Sequence, residues 1–139
     1  MNRQWKTVLA GAVILFILAA CSAGQVMDGE GMVRQTYTAI SQEKAREMME
    51  QEEGYIIVDV RRLDEFESGH IPGAVCIPNE TIEEEASDFL PDPDQIILVY
   101  CRSGNRSRQA AQKLAGLGYT NVYEFGGIID WTGEIVTDD

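Results

Sequence analysis

Two short apolar runs dominate the pattern of hydrophobic and polar positions. Residues 55–60 (Tyr-Ile-Ile-Val-Asp-Val) and residues 96–100 (Ile-Ile-Leu-Val-Tyr) carry apolar side chains at successive positions, so both faces of each strand are expected to be buried. Strands buried on both faces are typical of parallel sheets that helices cover. Shorter apolar stretches predict further strands at residues 37–40, 74–77 and 122–125.

Segments with helical character separate these strands. Ser41 is a plausible N-cap for the first helix, and Gly118 follows the last one as a stop signal. The predicted helices are residues 42–50, 80–89 and 107–117, with one further helical turn at residues 63–68. The alternation predicts an α/β domain over residues 36–137, with a mostly parallel central sheet flanked by helices on both faces. Ligands of such sheets bind beyond the carboxyl ends of the strands.

The first 20 residues have the pattern of a secretory signal. Arg3 and Lys6 precede an apolar run of 13 residues at 8–20, which is shorter than the roughly 20 residues that a membrane-spanning helix needs. Residues 18–21 (Leu-Ala-Ala-Cys) resemble the lipobox of bacterial lipoproteins. That resemblance implies cleavage before Cys21 and a lipid on its sulfur, with the protein held on the outer face of the cytoplasmic membrane or in the periplasm. An uncleaved anchor and plain secretion stay open.

Charge narrows the range of partners. The chain has 11 basic and 23 acidic residues, and removing residues 1–20 takes away Arg3 and Lys6, which leaves 9 basic residues and a net charge of −14. Such an acidic domain is unsuited to binding nucleic acid or anionic lipid head groups. Residues 21–35 are rich in glycine and in small or polar side chains, and they predict a flexible tether.

A cysteine follows the second buried strand and precedes a helix. Cys101 opens the segment Cys-Arg-Ser-Gly-Asn-Arg-Ser, where unpaired N–H groups at the helix start and the charges of Arg102 and Arg106 favour a thiolate. The same arrangement is suited to a small oxyanion, and Gly104 allows the backbone amides to turn inward. Cys76 has apolar neighbours, and we expect a buried strand residue there and no disulfide with Cys101.

Several spaced motifs accompany this cysteine segment. They are Asp59-Val60-Arg61, Glu65-Phe66, Gly69-His70-Ile71-Pro72-Gly73-Ala74, Gly118-Tyr119, and Phe125-Gly126-Gly127 with Trp131. Together they resemble a rhodanese-like sulfurtransferase domain over roughly residues 37–136. The resemblance implies an active-site loop on Cys101, formed by Arg102, Ser103, Gly104, Asn105, Arg106 and Ser107.

The resemblance also implies a two-step reaction. The Cys101 thiolate takes the outer sulfur of a small anionic donor such as thiosulfate, and cyanide or a thiol then removes it from the persulfide. Inward-pointing amides of residues 103–107 are expected to stabilise the persulfide anion, and Arg102 and Arg106 to hold the departing sulfite. No metal or organic cofactor is expected, and we expect a monomer.

Asp59 and Arg61 match a family element whose role the sequence leaves open. Two roles are open. In the one that we favour, Arg61 pairs with Glu65 and braces the sheet edge; in the other, Asp59 supports the cysteine loop. His70 is the single histidine of the chain, and its place in the Gly-His-Ile-Pro-Gly turn favours a structural role over general base catalysis.

Three alternatives to a sulfurtransferase remain. Cysteine phosphatases and arsenate reductases of similar fold have a loop one residue longer than the Cys-x4-Arg spacing from Cys101 to Arg106. A lipid-tethered persulfide carrier or binding module needs the same cysteine without efficient turnover. A redox protein would use Cys76 to resolve an oxidised Cys101, which requires that the two sulfurs approach bonding distance.

Overall fold

The computed structural model describes residues 25–27 and 33–137, with side chains from residue 36 onward. The predicted signal peptide, residues 1–20, and the predicted lipidation site Cys21 lie outside the described residues. The strands are β1 (Gln25–Met27), β2 (Val33–Gln35), β3 (Thr38–Ala39), β4 (Tyr55–Asp59), β5 (Val75–Cys76), β6 (Ile96–Cys101) and β7 (Asn121–Gly127). The helices are α1 (Gln42–Gln51), α2 (Leu63–Glu67), α3 (Ile82–Phe89) and α4 (Asn105–Gly116), followed by a short 3₁₀ helix, Ile128–Asp130.

Five parallel strands form the main sheet in the order β3-β7-β6-β4-β5. The two predicted buried strands, β4 and β6, lie side by side in its interior, and β6 is the middle strand. Both carry apolar side chains on each face because helices cover the sheet on both sides. The predicted α/β fold, a parallel central sheet flanked by helices on both faces, is therefore confirmed.

Each face of the sheet has its own hydrophobic core. On one face, β4 and β6 contribute Val58 and Val99, which pack against Ile82 and Ala86 of α3 and against Leu114 of α4. The other face carries Ile57, Leu98, Tyr100 and Phe125, which pack with Ala45 of α1 and the segment around Trp131. Alternate residues of one strand thus enter opposite cores, and Cys101 faces the same side as Val99, toward α4.

The predicted elements are present with shifted boundaries. Ser41 caps α1 as predicted, since its hydroxyl accepts the Lys44 N–H at 3.0 Å. Helix α4 begins at Asn105, two residues before its predicted start, because Gly104 occupies the N-cap position. Within residues 21–35, which are predicted as a tether, the structure describes β1 and β2 as an antiparallel pair with Val26 opposite Arg34.

No helix among the described residues is both long enough and apolar enough to cross a membrane.

Candidate active site

Cys101 ends the middle strand of the sheet and lies under the start of α4. Its side chain is 1% exposed, and its backbone pairs with Gly127 of β7. Because the strands are parallel, the carboxyl ends of β4, β6 and β7 meet at this edge. The structure therefore places the sulfur where sheets of this kind bind ligands.

Gly104 connects the strand to the helix and donates a hydrogen bond to the cysteine. Its N–H lies 3.0 Å from Cys101 Sγ, and its carbonyl accepts the Arg108 N–H, which starts the helical ladder. The φ angle of Gly104 is +101°, a left-handed conformation that favours glycine. The sulfur thus faces a backbone donor at the positive end of a 12-residue helix, where negative charge is stabilised.

A β-bulge in β7 makes room for the cysteine loop. Val99 pairs with Glu124 and Cys101 with Gly127, so β7 has one extra residue between these two pairs. Gly126 in the bulge has a φ angle of +94°. A side chain on Gly127 would collide with the Arg102 carbonyl, so glycine at this position lets the loop lie directly on the strand.

The loop divides into an inward and an outward set. Cys101, Gly104 and Ser107 are buried, at intervals of three residues, and Arg106 is half-buried. The exposed members are Arg102, Ser103 and Asn105. Of the predicted amides of residues 103–107, the Gly104 N–H donates to Sγ; within residues 36–137, no other loop amide does so. One loop amide therefore contacts the Cys101 sulfur in the structure, whereas the sequence predicted that several would stabilise the persulfide anion.

Arg106 forms an ion pair with Glu65 of α2 at the rim of the loop. Its two terminal nitrogens donate to the two carboxylate oxygens at 2.7 and 3.0 Å. The Arg106 hydrogen bonds lower the pKa of Glu65 to about 2, and Glu65 in turn raises the pKa of Arg106. This bidentate contact partly neutralises the cation that was predicted to hold the departing sulfite.

Arg61 pairs with Asp59 rather than with Glu65, so the predicted partner is wrong. Both groups are buried, and Arg61 donates to the Asp59 carboxylate through Nε and Nη2, the latter at 2.7 Å. The Arg61 guanidinium also donates to the Gly69 carbonyl at 2.7 Å. The Arg61 side chain therefore turns back to its own strand, because the buried Asp59 carboxylate needs a cation there.

Cys76 lies on the edge strand β5 and is half-buried, less than the predicted full burial. Burial and the nearby Asp59 carboxylate raise its pKa to about 11, so it is a thiol at neutral pH. Cys76 pairs with Asp59, and Asp59 with Tyr100, so one whole strand separates the two cysteines. Two strand spacings are about 10 Å, beyond the reach of a disulfide. Both cysteines are free.

His70 packs inside the turn in which the sequence placed it. Its ring stacks on Phe66 with centroids 3.8 Å apart, and Nδ1 lies 2.9 Å from the Phe66 carbonyl. Its backbone forms an antiparallel bridge with Val136, which holds the segment around Val136 against this turn. These contacts are those of a structural residue, as predicted. Among the described residues, no group of three or more His, Cys, Asp or Glu side chains is placed to hold a metal ion.

Glu124 is a site residue that sequence reasoning missed. It is 5% exposed, and its Oε1 atom accepts the Ser107 hydroxyl at 2.6 Å and the Gly126 N–H at 2.8 Å. Ser107 Oγ in turn lies 3.4 Å from Cys101 Sγ. The signal that could have found it is strand alternation, since Val122 and Glu124 share a face of β7 and a buried Val122 places the carboxylate on the inward face.

Comparisons with known proteins agree with this geometry. The family model described as "Rhodanese-like domain" matches residues 41–134. The chain belongs to the rhodanese-like domain family. The thiosulfate sulfurtransferase PspE of Escherichia coli (strain K12) is 36% identical over 73 residues, which are 52% of this chain and 70% of that protein.

Two further rhodanese-like matches extend the comparison. YrkF of Bacillus subtilis (strain 168), named as a candidate sulfur carrier protein, is 38% identical over 68% of this chain, but the match spans only 51% of YrkF. A rhodanese-related protein from Thermoplasma volcanium superposes with a TM-score of 0.64 at 30% identity, over 73% of this chain and all of that one. Rhodanese-type sulfur transfer, from a donor to an acceptor, is thus supported as the chemistry of the family to which this chain belongs.

Proposed function

We propose that the chain moves a sulfane sulfur from an anionic, thiosulfate-like donor to a thiol or cyanide acceptor through a persulfide on Cys101. One observation carries the proposal. A buried cysteine ends the middle strand of a parallel sheet, and its sulfur receives the Gly104 N–H at 3.0 Å at the start of a helix. This setting stabilises an anionic sulfur at the carboxyl edge of the sheet, where ligands of such folds bind.

Each step conserves atoms and charge. The Cys101 thiolate attacks the outer sulfur of thiosulfate, a new S–S bond forms, and the bond to the central sulfur breaks as sulfite leaves with the electron pair. The acceptor then attacks the outer sulfur of the persulfide, and the electrons of the S–S bond return to Cys101. With cyanide the product is thiocyanate, and with a thiolate it is the persulfide of that thiol.

The rim residues select the donor. Arg102 is exposed and forms no ion pair within residues 36–137, so its charge is available to an incoming anion. Arg106 shares its charge with Glu65, so it contributes a weaker field close to the sulfur. An anionic donor is favoured because Arg102, next to Cys101 in the chain, is a cation without an ion pair among the described residues, and the helix terminus adds positive potential at the sulfur.

A persulfide carrier is the second candidate function. YrkF, a relative named as a candidate sulfur carrier, favours it, and a carrier needs the same buried cysteine. The two functions differ in the second step: an enzyme releases sulfur to a small acceptor with repeated turnover, whereas a carrier keeps it until a partner protein arrives. Steady-state formation of thiocyanate from thiosulfate and cyanide distinguishes them.

Mass spectrometry tests the shared intermediate directly. After incubation with thiosulfate without reductant, the peptide that carries Cys101 is expected to gain one sulfur atom, and cyanide is expected to remove it. The peptide that carries Cys76 is the internal control and is expected to stay unmodified, since its thiol is protonated at neutral pH. Sulfur on Cys76 and none on Cys101 would contradict the proposal.

We also propose that the domain is exported and tethered by a lipid on Cys21. The support is the short apolar segment and the residues before Cys21, together with the acidic domain, which does not bind a membrane by itself. In cell fractionation, Cys21→Ala is expected to move the protein out of the membrane fraction or leave its leader uncleaved. A variant that stays membrane-bound at full length indicates an uncleaved anchor instead.

A further inference from the structure

Exposed aliphatic side chains are concentrated at the edge of the sheet that holds Cys101. Five large apolar side chains are substantially exposed within residues 36–137. Three of them, Leu63, Ile129 and Ile135, lie on segments that follow the carboxyl ends of β4 and β7. The other two lie at the ends of α3 and α4, at the opposite edge. Single exposed apolar residues are common on protein surfaces, but several at the edge of a reactive site indicate a contact surface.

Ile129 is the member of this group that contacts the cysteine loop. Its backbone N–H donates to the Arg102 carbonyl at 3.2 Å, and its side chain is 61% exposed. The preceding Ile128 packs against the core, so the 3₁₀ helix turns Ile129 outward. Arg102 is itself exposed and follows Cys101 in the chain. A segment of another molecule that reaches the sulfur is therefore expected to pass an exposed cation and an exposed aliphatic side chain together.

The charges differ between the two flanks of the loop. Helix α2 follows β4 and the 3₁₀ helix follows β7, and these strands lie on opposite sides of β6. On the α2 flank, Arg106 is paired with Glu65 and also interacts with Glu80. On the other flank, Arg102 has no ion pair among the described side chains, and one exposed carboxylate, Asp130, lies in the 3₁₀ helix. An acidic molecule is therefore attracted to the Arg102 flank.

We propose that Arg102 and Ile129 form a docking surface for the sulfur acceptor, and that this acceptor is a segment of another protein whose thiol lies between apolar and acidic side chains. The inference rests on the proposed function, because it concerns the second step at the same cysteine. Thiosulfate and cyanide have no apolar part that could cover Ile129. The segment's thiolate attacks the outer sulfur of the persulfide, the S–S bond breaks, its electron pair returns to Cys101, and the segment leaves as a persulfide.

A second copy of the chain fits this surface less well. In a two-fold symmetric dimer each surface contacts its own copy, so the Arg102 cation would face an identical cation. Such a dimer would also cover both Cys101 sulfurs and close the site to donors. An acidic partner instead supplies the opposite charge, and it leaves the site after each transfer.

Single-turnover discharge with synthetic peptides tests the docking surface. Three pentapeptides carry a central cysteine: the first has leucine on both sides of it and aspartate at both ends, the second has serine in place of leucine, and the third has lysine in place of aspartate. The full chain is loaded with thiosulfate and freed of excess donor, and loss of sulfur from Cys101 is followed by mass spectrometry. Each rate is divided by the rate of the same peptide with a small disulfide, which corrects for the intrinsic reactivity of its thiol.

The wild type is expected to prefer the leucine peptide over the serine peptide by about five- to tenfold, because the leucines cover exposed apolar surface. Ile129→Ser is expected to lose most of this preference. Leu117→Ser removes a leucine that is 47% exposed at the opposite edge of the sheet, and this matched control is expected to retain it. Arg102→Gln is expected to lower the preference for aspartate over lysine by about threefold.

A peptide that cannot accept sulfur separates docking from transfer. In the serine analogue of the first peptide, a hydroxyl replaces the thiol, and fluorescence anisotropy with the unloaded chain reports binding alone. Ile129→Ser is expected to bind this analogue about three- to tenfold more weakly than the wild type. Equal binding by the two proteins, or an equal preference for leucine in both, overturns the docking surface.

Two further outcomes are distinguishable. Wild-type dimers in size-exclusion chromatography that Ile129→Ser dissociates would assign the surface to a second copy, and the proposal would then be wrong. Failure of cyanide to remove sulfur from the loaded wild type would contradict sulfur transfer to a small acceptor, whereas the binding measurement would still decide whether Ile129 forms a docking surface.

Discussion

The two cysteines of the described domain lie near the same edge of one sheet, yet their surroundings are opposite. Cys101 receives a backbone N–H at 3.0 Å and lies at the positive end of α4, with a cation at its rim. Cys76 instead donates a weak hydrogen bond to the Arg61 carbonyl and lies beside the buried Asp59 carboxylate. Cys101 is the more deeply buried of the two. We therefore expect the donors around each sulfur, rather than burial alone, to decide which cysteine reacts.

Each cysteine also has an arginine–carboxylate pair beside it, and the two pairs differ in how far they are exposed to solvent. The Asp59–Arg61 pair near Cys76 is closed off from solvent, with side chains 0% and 6% exposed. The Glu65–Arg106 pair near Cys101 is about a quarter exposed on both sides. We infer that the Asp59–Arg61 pair stabilises the fold and that the Glu65–Arg106 pair affects how an anionic donor binds at the entrance of the site.

Exchanging each cysteine for serine gives the largest expected contrast. Cys101→Ser is expected to abolish thiosulfate-to-cyanide transfer, because a hydroxyl is not ionised near neutral pH, while leaving the melting temperature close to that of the wild type. Cys76→Ser is the matched variant and is expected to keep wild-type turnover. Comparable loss in both variants, with unchanged melting, would instead favour a redox partnership between the two sulfurs.

Removing the buried arginine is expected to cost stability. Arg61→Ala leaves the Asp59 carboxylate buried without its cation, and urea denaturation is expected to show a loss of about 3 to 5 kcal/mol in the free energy of unfolding. Arg62→Ala removes the neighbouring arginine, whose pair with Asp64 is exposed, and no measurable change is expected. Equal losses in the two variants would show that burial of the first pair has no energetic consequence.

Substitutions in the Glu65–Arg106 pair are expected to change the rate with an anionic donor rather than the stability of the fold. Arg106→Ala is expected to lower kcat/KM for thiosulfate on the order of 10- to 100-fold, with a smaller loss for an uncharged persulfide donor. Glu65→Gln frees the Arg106 charge and is expected to raise thiosulfate use by about two- to fivefold. Steady-state kinetics with both donors provides the measurement. Equal losses with both donors in Arg106→Ala would mean that Arg106 acts on the cysteine alone.

Lowering the pH is expected to remove the stabilisation that the Glu65–Arg106 pair provides, which is the smallest effect expected here. The pKa of Glu65 is about 2 in the folded chain and higher in the unfolded one, so its contribution is complete above about pH 5 and is lost as the pH falls toward 2. Since the pair is partly exposed, we expect the loss to be about 1 kcal/mol. Urea denaturation at pH 7 and pH 3 is expected to show this component in the wild type and not in Glu65→Gln.

The sequence predicts the strands and helices of this domain better than it predicts which side chains contact each other. The runs of apolar residues at 55–60 and 96–100 identify β4 and β6 because the pattern of a strand buried on both faces is local. The start of α4 was predicted at Ser107 and lies at Asn105, since a left-handed Gly104 admits a helix start that apolar periodicity does not mark.

Pairing of charges depends on the direction in which each side chain turns. Arg61 and Glu65 are four residues apart, a spacing that favours contact on a helix, but Arg61 precedes α2 and its side chain returns to Asp59. Glu65 is then left for Arg106, 41 residues away. The Ser107–Glu124 contact likewise joins α4 to β7, and neither segment contains a signal for the other.

Handedness, rather than lack of room, keeps glycine at position 104. A methyl group there would meet its nearest neighbour, Gly126 Cα, at 3.6 Å, an ordinary contact. The φ angle of +101° is instead a conformation that L-amino acids adopt only at a cost of about 1 to 2 kcal/mol. Relaxing that torsion would turn the N–H away from Cys101, so the chirality of L-amino acids limits which residues can hold a backbone donor against this sulfur.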